Sequence, residues 1–513
     1  VPSKFEYTCK QNKRRPKDAV FIFSGSQKMC GVVGLIGEEQ AGEKLYPALF
    51  ALQHRGQDAA GILSYDFDRA SFHLEKDLGL VEDVFTVERQ QRVKGTMALG
   101  HTRYSTIGTV DKEDLQPLFL SYPYGIGMIH NGNVTNYDEV MNHLRDKKLR
   151  RTFSRNDLEI LMHMVAVGLE DRKNRGNLAD NLAGAVKELI EQVQGAYSAI
   201  GMLADQGLFA FCDQHGIRPL LIGRKLKGDK YSYCFASEKQ VFFGLGYEYW
   251  RDLKPGELVF VDKDQKFHSY LLSEKKARPC MFEWIYFAGS ETEWHGRPVY
   301  EVRLNLGEIL AKECLAKGFE IDVVAPVPDT SRAAACRLAE VLEKPYREVL
   351  IKNRYVQRSF IINQPELRKM MVNLKLSPVQ SEIKGKKILL VDDSIVRGTT
   401  SARIIRLLRE SGAEKVYLAS TCPPIRHPCF YGIDFPDGDS LVAHNKTEEQ
   451  VAKLLEVDGL VYLPLTKLKE GLGLSSLCSA CLDGDYPVEV STEKFLKTRH
   501  TNIGGDGKNE VPL

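Results

Sequence analysis

The sequence predicts two folded units in one chain: an α+β arrangement in the N-terminal half, and an α/β arrangement with a parallel sheet in the C-terminal half. Three observations predict it. A chain of 513 residues exceeds what one hydrophobic core organises. From residue 30 to about 260, short apolar strands alternate with polar, glycine-containing corners. Beyond a Lys/Glu-rich stretch at residues 273–278, strand and helix patterns alternate, as parallel strands with crossover helices do.

Composition narrows the class. Hydrophobic residues make up 43% and charged residues 27%, as in ordinary globular proteins. The formal charge is +2, but residues 1–29 carry +5 of it, leaving −3 on the remainder. So nearly neutral a body does not advertise nucleic-acid binding. No apolar run approaches the roughly 18 residues that span a membrane. Eleven cysteines, an odd number spread along the chain, fit a reducing compartment and a cytoplasmic location.

Residues 1–29 admit three readings: a basic targeting peptide, a propeptide, or a non-native extension ahead of Met29. The apolar stretch Ala19–Phe23 is short for a secretory segment, and the third reading is preferred. In the last two readings the working chain starts at Cys30. That residue would then carry both a thiol and a free α-amine, a nucleophile with its base attached.

In chain order, strands are expected at residues 31–36 and 60–64, with a helix over 40–54, where Leu45, Ala48, Leu49 and Leu52 recur at helical spacing. Met97–Thr106 is expected as a strand entering a polar loop, and Ile126–Asn133 as a strand meeting Asn131-Gly132, a dipeptide most often used in hairpin turns. Asp157 opens a helix running to about Val167, where acids suit the N-terminus.

Cys30-Gly31, His54-Arg55-Gly56-Gln57, His101-Thr102-Arg103-Tyr104, His130-Asn131-Gly132 and Asp157 occur in an order and spacing that resembles the glutamine-amidotransferase domain of the N-terminal-nucleophile hydrolases. The likeness continues through Gly216-Ile217-Arg218-Pro219, Ala236-Ser237-Glu238 and Pro255-Gly256-Glu257. Cys212-Asp213-Gln214 departs from the family's Arg-Asp-Pro. The resemblance implies an αββα sandwich with Cys30 attacking the glutamine side-chain amide. Asn131 and the N–H of Gly132 would hold the oxyanion, a donor worth about 3–4 kcal/mol in other enzymes. Arg103 would grip the substrate carboxylate, Asp157 its α-ammonium, and Arg55 would shape the loop beside the nucleophile, with a surface arginine as the alternative.

In the second half, residues 321–328 are expected as a strand, 333–342 as a helix, and 387–391 as a buried strand. This last strand runs into Asp392-Asp393-Ser394-Ile395-Val396-Arg397-Gly398-Thr399-Thr400, with a helix from about Ser401. Paired acids at a strand end, followed by a Gly/Thr turn at a helix N-terminus, suit ribose or Mg²⁺ on one side and phosphate on the other. No Walker A or dinucleotide-binding glycine pattern is present there.

This nonamer resembles the phosphoribosyl-diphosphate loop of type I phosphoribosyltransferases. Pro328-Asp329-Thr330-Ser331 and Lys352–Phe360 resemble two further loops of those enzymes. The implied ligands are Asp392, Asp393, Ser394, Arg397, Gly398, Thr399, Thr400 and Ser401, with Lys352, Arg354 and Arg358 on the diphosphate. Mg²⁺ would lie at Thr330, Asp392 and Asp393.

The two likenesses in this order resemble the glutamine phosphoribosylpyrophosphate amidotransferase family, whose members begin purine synthesis. The implied division is an extension at 1–29, a glutaminase at 30–260, a phosphoribosyltransferase at 261–470, and a C-terminal segment at 471–513, disordered after about 484. Glutamine and phosphoribosyl diphosphate are the implied substrates, purine nucleotides the inhibitors, and a homotetramer the assembly.

Cys478-Ser479-Ala480-Cys481 by itself fits a redox pair or half a zinc site. One branch of the family holds a 4Fe-4S cluster at positions matching Cys280, Cys429, Cys478 and Cys481, with Cys422 nearby. Four thiolates also suit zinc. The segment Ala288–Thr292 departs from the family's Ala-Arg-Pro-Asp-Ser. Rival readings are a sugar-phosphate-aminating relative, a plain purine phosphoribosyltransferase, and a regulatory nucleotide-binding paralogue with an inactive glutaminase.

Overall fold

The computed structural model describes residues 29–104, 112–154, 156–173, 175–353, 376–433, 435 and 437–490. Thirteen strands of the N-terminal half form two antiparallel sheets. They are β1 (Gly31–Ile36), β2 (Ala59–Asp66), β3 (Ser71–Leu78), β4 (Met97–Arg103), β5 (Leu118–Leu120), β6 (Ile126–Val134) and β7 (Gly195–Leu203). Then follow β8 (Gly207–Cys212), β9 (Leu221–Lys227), β10 (Lys230–Ala236), β11 (Glu248–Asp252), β12 (Glu257–Asp262) and β13 (Phe267–Leu271).

One sheet has the order β11-β9-β10-β1-β4-β2-β3 and the other β13-β12-β8-β7-β6-β5. Their inner faces pack together through Val32, Leu63 and Leu99 against Ile129, Ile200 and Leu208. The helix Ala41–Ala51 covers the first sheet through Leu45 and Leu49. The helices Asp157–Asp171 and Leu178–Gln192 cover the second. Apolar residues on both faces of the central strands demand these outer helices, and the result is the expected αββα sandwich.

The short hairpin β14 (Glu293–Trp294) and β15 (Arg297–Pro298) leads into the helix Val299–Lys317. The C-terminal half then builds a four-stranded parallel sheet, β16-β19-β20-β21, from β16 (Val323–Pro326), β19 (Lys387–Asp392), β20 (Lys415–Ser420) and β21 (Gly459–Tyr462). A two-stranded ribbon, β17 (Leu350–Lys352) with β18 (Leu376–Pro378), stands apart. Burial of Leu389 and Val391 on one face and Ile388 and Leu390 on the other explains the uninterrupted apolar run of β19. A continuous apolar cluster reaches from Val33 and Leu45 to Leu306 and Leu389, joining the halves.

Three expectations are corrected. The border at residue 260 falls inside β12, and pairing with β13 carries the second sheet on to Leu271. Residue 470 lies inside the helix Leu465–Leu472, so no break occurs there either. The chain after 484 is not loose from that point: Tyr486 Oη donates to Pro428 O at 2.7 Å, and Val488 exchanges hydrogen bonds with the Tyr431 hydroxyl. Buried aromatic contacts hold this stretch, which composition alone does not reveal. Residues 491–513 lie outside the described residues. Among the described residues, no helix is long and apolar enough to cross a membrane.

Candidate functional site

Cys30 stands at the start of β1, half-buried. Gly31 pairs with Thr102 of β4, which places Cys30 beside Arg103 at that strand's end. A side chain on residue 31 would meet Thr102 Oγ1 at 2.6 Å, so only glycine lets the strands close next to the thiol. Burial pushes the Cys30 thiol up, while the Tyr104 N–H and the Arg103 and Arg55 charges pull it back, and Asp157 adds to the rise.

Arg55 is fully buried, which removes the alternative of a surface arginine. Its Nε donates to the Cys30 carbonyl at 3.1 Å. Its Nη1 donates to Glu238 at 2.6 Å and to Glu283 at 2.9 Å. Burial alone would raise the Glu238 carboxyl, but His54 and Arg55 beside it hold it well below the usual range.

Asn131 and Gly132 do not form a turn. They lie within β6, paired with Ser198 and Tyr197 of β7. The hairpin preference of Asn-Gly yields here to a nine-residue strand paired along its whole length with β7. Gly132 has φ +150°, and a Cβ there would meet Ala196 O at 2.0 Å. The Asn131 amide is fully buried, and neither its oxygen nor its nitrogen has a hydrogen-bond partner. Such a group costs about 1–3 kcal/mol until something binds it.

Arg103 Nη1 and Asn156 Nδ2 both donate to Asp114 O, at 2.6 and 2.7 Å. Asn156 also caps the helix that Asp157 opens. The two residues expected to hold the ends of glutamine are thus tied to one peptide. Asp157 accepts from the Val134 N–H at 2.8 Å and lies 3.1 Å from His130 Nε2. Burial would raise its carboxyl, but His130 and the Val134 N–H lower it. His130 had no role in the sequence reading. Its signal was its position directly before Asn131.

The second site lies at the C-terminal end of the parallel sheet, where open α/β folds bind ligands. Pro326 of β16 pairs with Val391 of β19, so the Pro328–Ser331 loop and Asp392-Asp393 leave the sheet side by side. Asp392 and Asp393 are buried. Burial and, for Asp392, the neighbouring Asp393 charge push both carboxyls above the usual range.

Ser394 Oγ donates to Asp393 at 2.7 Å, and Ser401 bonds Asp392. Gly398, at φ +75°, caps the helix Thr399–Glu410 without a side chain, leaving its first N–H groups to a ligand. The helix begins two residues earlier than expected, so Thr399 and Thr400 are exposed in its first turn. Arg397 is exposed in the loop before it. Lys352 Nζ donates to Asp329 at 2.9 Å, which brings β17 to the loop carrying Thr330. Arg354 and Arg358 lie outside the described residues.

Cys280, Cys429, Cys478 and Cys481, from three separate segments, line one cavity together with Arg218 and Tyr431. Backbone bonds lock the segments. Cys478 N donates to Pro279 O, Cys429 N to Phe435 O, and Arg426 and His427 N to Cys481 O. Burial pushes Cys478 and Cys481 well above the usual thiol range and Cys280 to about 11. Cys422 does not line the cavity. Among the described residues, no three His, Cys, Asp or Glu side chains form a group that could itself hold a metal ion.

The departures from pattern have structural partners. Asp213 takes the N–H groups of Tyr197, His215 and Ile217, which secures its turn without the missing arginine and proline. Gly289 N donates to Glu238, and Arg303 donates to Ala288 O and Ser290 Oγ, so the 288–292 segment is held from both halves.

The architecture defines a class: a glutamine amidotransferase sandwich joined to a phosphoribosyltransferase sheet. The glutamine amidotransferase domain family matches residues 101–244, and the phosphoribosyl transferase domain family matches residues 302–430. Over nearly their whole length, curated relatives are amidophosphoribosyltransferases. The Escherichia coli enzyme is 41% identical over 94% of this chain and 97% of its own. The Saccharomyces cerevisiae enzyme is 40% identical over 94% and 98%. Among solved structures, glutamine phosphoribosylpyrophosphate amidotransferase from B. subtilis, complexed with ADP and GMP, superposes with a TM-score of 0.80 at 36% identity. It covers 90% of this chain and 98% of that one. The chain belongs to the amidophosphoribosyltransferase family.

Proposed function

We propose that the protein transfers the amide nitrogen of glutamine to C1 of phosphoribosyl diphosphate, giving 5-phosphoribosylamine, glutamate and pyrophosphate, at the start of purine biosynthesis. The observation that carries this is the placing of Cys30 beside the end of the strand that carries Arg103, with Arg55 Nε on the Cys30 carbonyl and Arg103 tied through Asp114 O to Asn156 before Asp157, in the same chain as the Asp392–Ser401 turn.

At the first site, Cys30 Sγ attacks the side-chain amide carbon. The partnerless Asn131 amide and the Gly132 N–H receive the developing oxyanion. Arg103 and Asp157 hold the substrate's carboxylate and ammonium. The C–N bond breaks, ammonia leaves, and water releases glutamate from the thioester. The base is the α-amine of Cys30, which exists only once the Met29–Cys30 bond is cut. A chain keeping residues 1–29 would bind nucleotide without cleaving glutamine, and intact mass separates these cases.

At the second site, the first turn of the Thr399–Glu410 helix and the hydroxyls of Thr399, Thr400 and Ser401 take the 5-phosphate. Asp392 and Asp393 orient the ribose. Ammonia forms the C1–N bond as the C1–O bond to diphosphate breaks, and Lys352 stabilises the departing charge, with Arg354 and Arg358 expected beside it. The mutually repelling Asp392 and Asp393 fit a divalent cation. Mg²⁺ bound by them and Thr330 would neutralise diphosphate.

The four convergent cysteines form a soft, all-thiol donor set that suits a 4Fe-4S cluster, which would crosslink three segments; a single zinc ion, the competing occupant, would need them drawn closer together. The ten described cysteines are all free, which suits the cytoplasm. The ADP and GMP in the B. subtilis relative support purine nucleotides as inhibitors. We take the assembly to be a homotetramer, measurable by light scattering.

One assay tests the reading. Protein, Mg²⁺, glutamine and phosphoribosyl diphosphate should yield glutamate and pyrophosphate in equal amounts. Glutamate release with no pyrophosphate sinks it.

A further inference from the structure

A buried chain of charges runs from the nucleophile to the cysteine cavity. Arg55 Nε holds the Cys30 carbonyl at 3.1 Å. Arg55 Nη1 and Nη2 clamp both oxygens of Glu283, at 2.9 and 3.0 Å. Glu283 Oε1 lies 3.6 Å from Arg218 Nη1, too long for a hydrogen bond. Arg218 Nε donates to Tyr431 O at 3.0 Å, and Nη2 bonds the same oxygen. Nη1 has no hydrogen-bond partner, although Arg218 is 1% exposed and lines the cavity beside Cys280, Cys429, Cys478 and Cys481. Glu283 stands only three residues after Cys280, on the turn Glu283–Phe287. Arg55, Glu238, Glu283 and Arg218 balance as two cations and two anions, each at most 2% exposed.

A guanidinium N–H without a hydrogen-bond acceptor, at the wall of a four-thiol cavity, points to an anionic occupant. Four thiolates around a 4Fe-4S core or around zinc carry net negative charge. Nη1 lies 3.6 Å from Glu283 on one side, and Arg218 shares the cavity wall with the four sulfurs on the other.

We propose that Arg218 and Glu283 are positioning residues that couple the cavity to the nucleophile: Arg218 Nη1 donates to a sulfur of the bound group, leaving Glu283 wholly to Arg55 and so fixing the Cys30 carbonyl. When the cavity is empty, Arg218 turns to Glu283, draws it from Arg55, and loosens the Cys30 strand end. The proposal rests on the reading of the four cysteines as ligands. It makes glutamine cleavage, and not ammonia use, sensitive to the state of the cavity.

The test measures Cys30 alkylation by iodoacetamide, localised by peptide mass, in loaded protein and after removal of the bound metal by chelator. In the wild type the rate should change at least tenfold on removal. In Glu283→Gln the loaded and stripped rates should agree within twofold, with iron and sulfide content unchanged. Arg218→Lys tests the contact without stripping. It should keep the group, shift its midpoint potential negative where that group is the iron–sulfur cluster because one N–H···S donor is lost, and lower glutamine-dependent but not ammonia-dependent kcat. Equal alkylation in loaded and stripped wild type, with an unchanged circular dichroism spectrum, overturns the coupling. So does an Arg218→Lys potential equal to that of the wild type. A protein that takes up neither iron with sulfide nor zinc overturns the ligand reading as well, and the coupling falls with it.

Discussion

The two halves prepare their chemistry in opposite ways. The glutamine site is built from strand ends of two antiparallel sheets, and its polar groups are locked before substrate arrives: Arg103 on Asp114 O, Asp157 on Val134 N, Arg55 on two glutamates. The Asn131 amide is left open. The phosphoribosyl site is built from turns at the ends of parallel strands, with exposed Thr399, Thr400 and Lys352 around two buried acids that repel each other. Under the proposed function, the first site is preorganised for a neutral amide becoming an oxyanion. The second is assembled by the charge of its ligand.

That contrast can be broken most sharply at the nucleophile. Cys30→Ala should lower glutamine cleavage by more than about a thousandfold and leave ammonia-dependent pyrophosphate release within about twofold. Loss of both activities would show that the sites are not separable. Next, Asn131→Ala should cut glutamine-dependent kcat by about 100- to 1000-fold with KM little changed, as an oxyanion donor does. Because the amide has no partner in the folded state, thermal stability should not fall. A KM effect of the same size would instead make Asn131 a ground-state binding group.

Asp393→Asn should reduce ammonia-dependent turnover on the order of a hundredfold while sparing glutamine cleavage. The acids also give a pH signature. Their carboxyls are raised, so the protonated forms persist above the ordinary range, and cation binding needs the charged forms. The apparent affinity for Mg²⁺ with phosphoribosyl diphosphate should therefore rise as pH rises through that raised window. A flat titration from pH 5 to 8 would count against the pair (about the span above ordinary carboxyls).

The smallest effect is on stability. Glu238 is held below its ordinary range, so its contribution is present above about pH 4.3 and is lost as pH falls through the folded-state value. Glu238→Gln should flatten acid unfolding in that region, and an unchanged acid limb would show that the Arg55 cluster does not set it.

Much of this was legible beforehand because the signals were local. The β19 run into Asp392-Asp393 and the Gly398 turn declare a strand, a phosphate turn and a helix in consecutive residues. Cys30, Arg103, Asn131 and Asp157 were legible through order and spacing. The Asn131-Gly132 dipeptide, a turn signal when taken alone, stays within the expected strand, since its turn preference is weak against nine residues of strand pairing. The border at residue 260 was drawn too early, since the second sheet runs on to Leu271 and the Lys/Glu-rich stretch at 273–278 follows directly on its last strand. The roles of Glu238, Glu283 and Arg218 were not legible. They sat within matched segments, yet their partners lie 183, 228 and 213 residues away.

By itself, the sequence determined the two architectures and named the candidate nucleophile, phosphate turn and thiols, because strand periodicity, turn chemistry and donor type are properties of neighbouring residues. Only the tertiary structure decided that Arg55 is buried between two glutamates, that Asn131 waits without a partner, and that four cysteines from three segments face one cavity beside Arg218. The reason is physical: buried charges are tolerated only in the company of opposite charges, and that company is chosen by how sheets and segments pack, not by spacing along the chain.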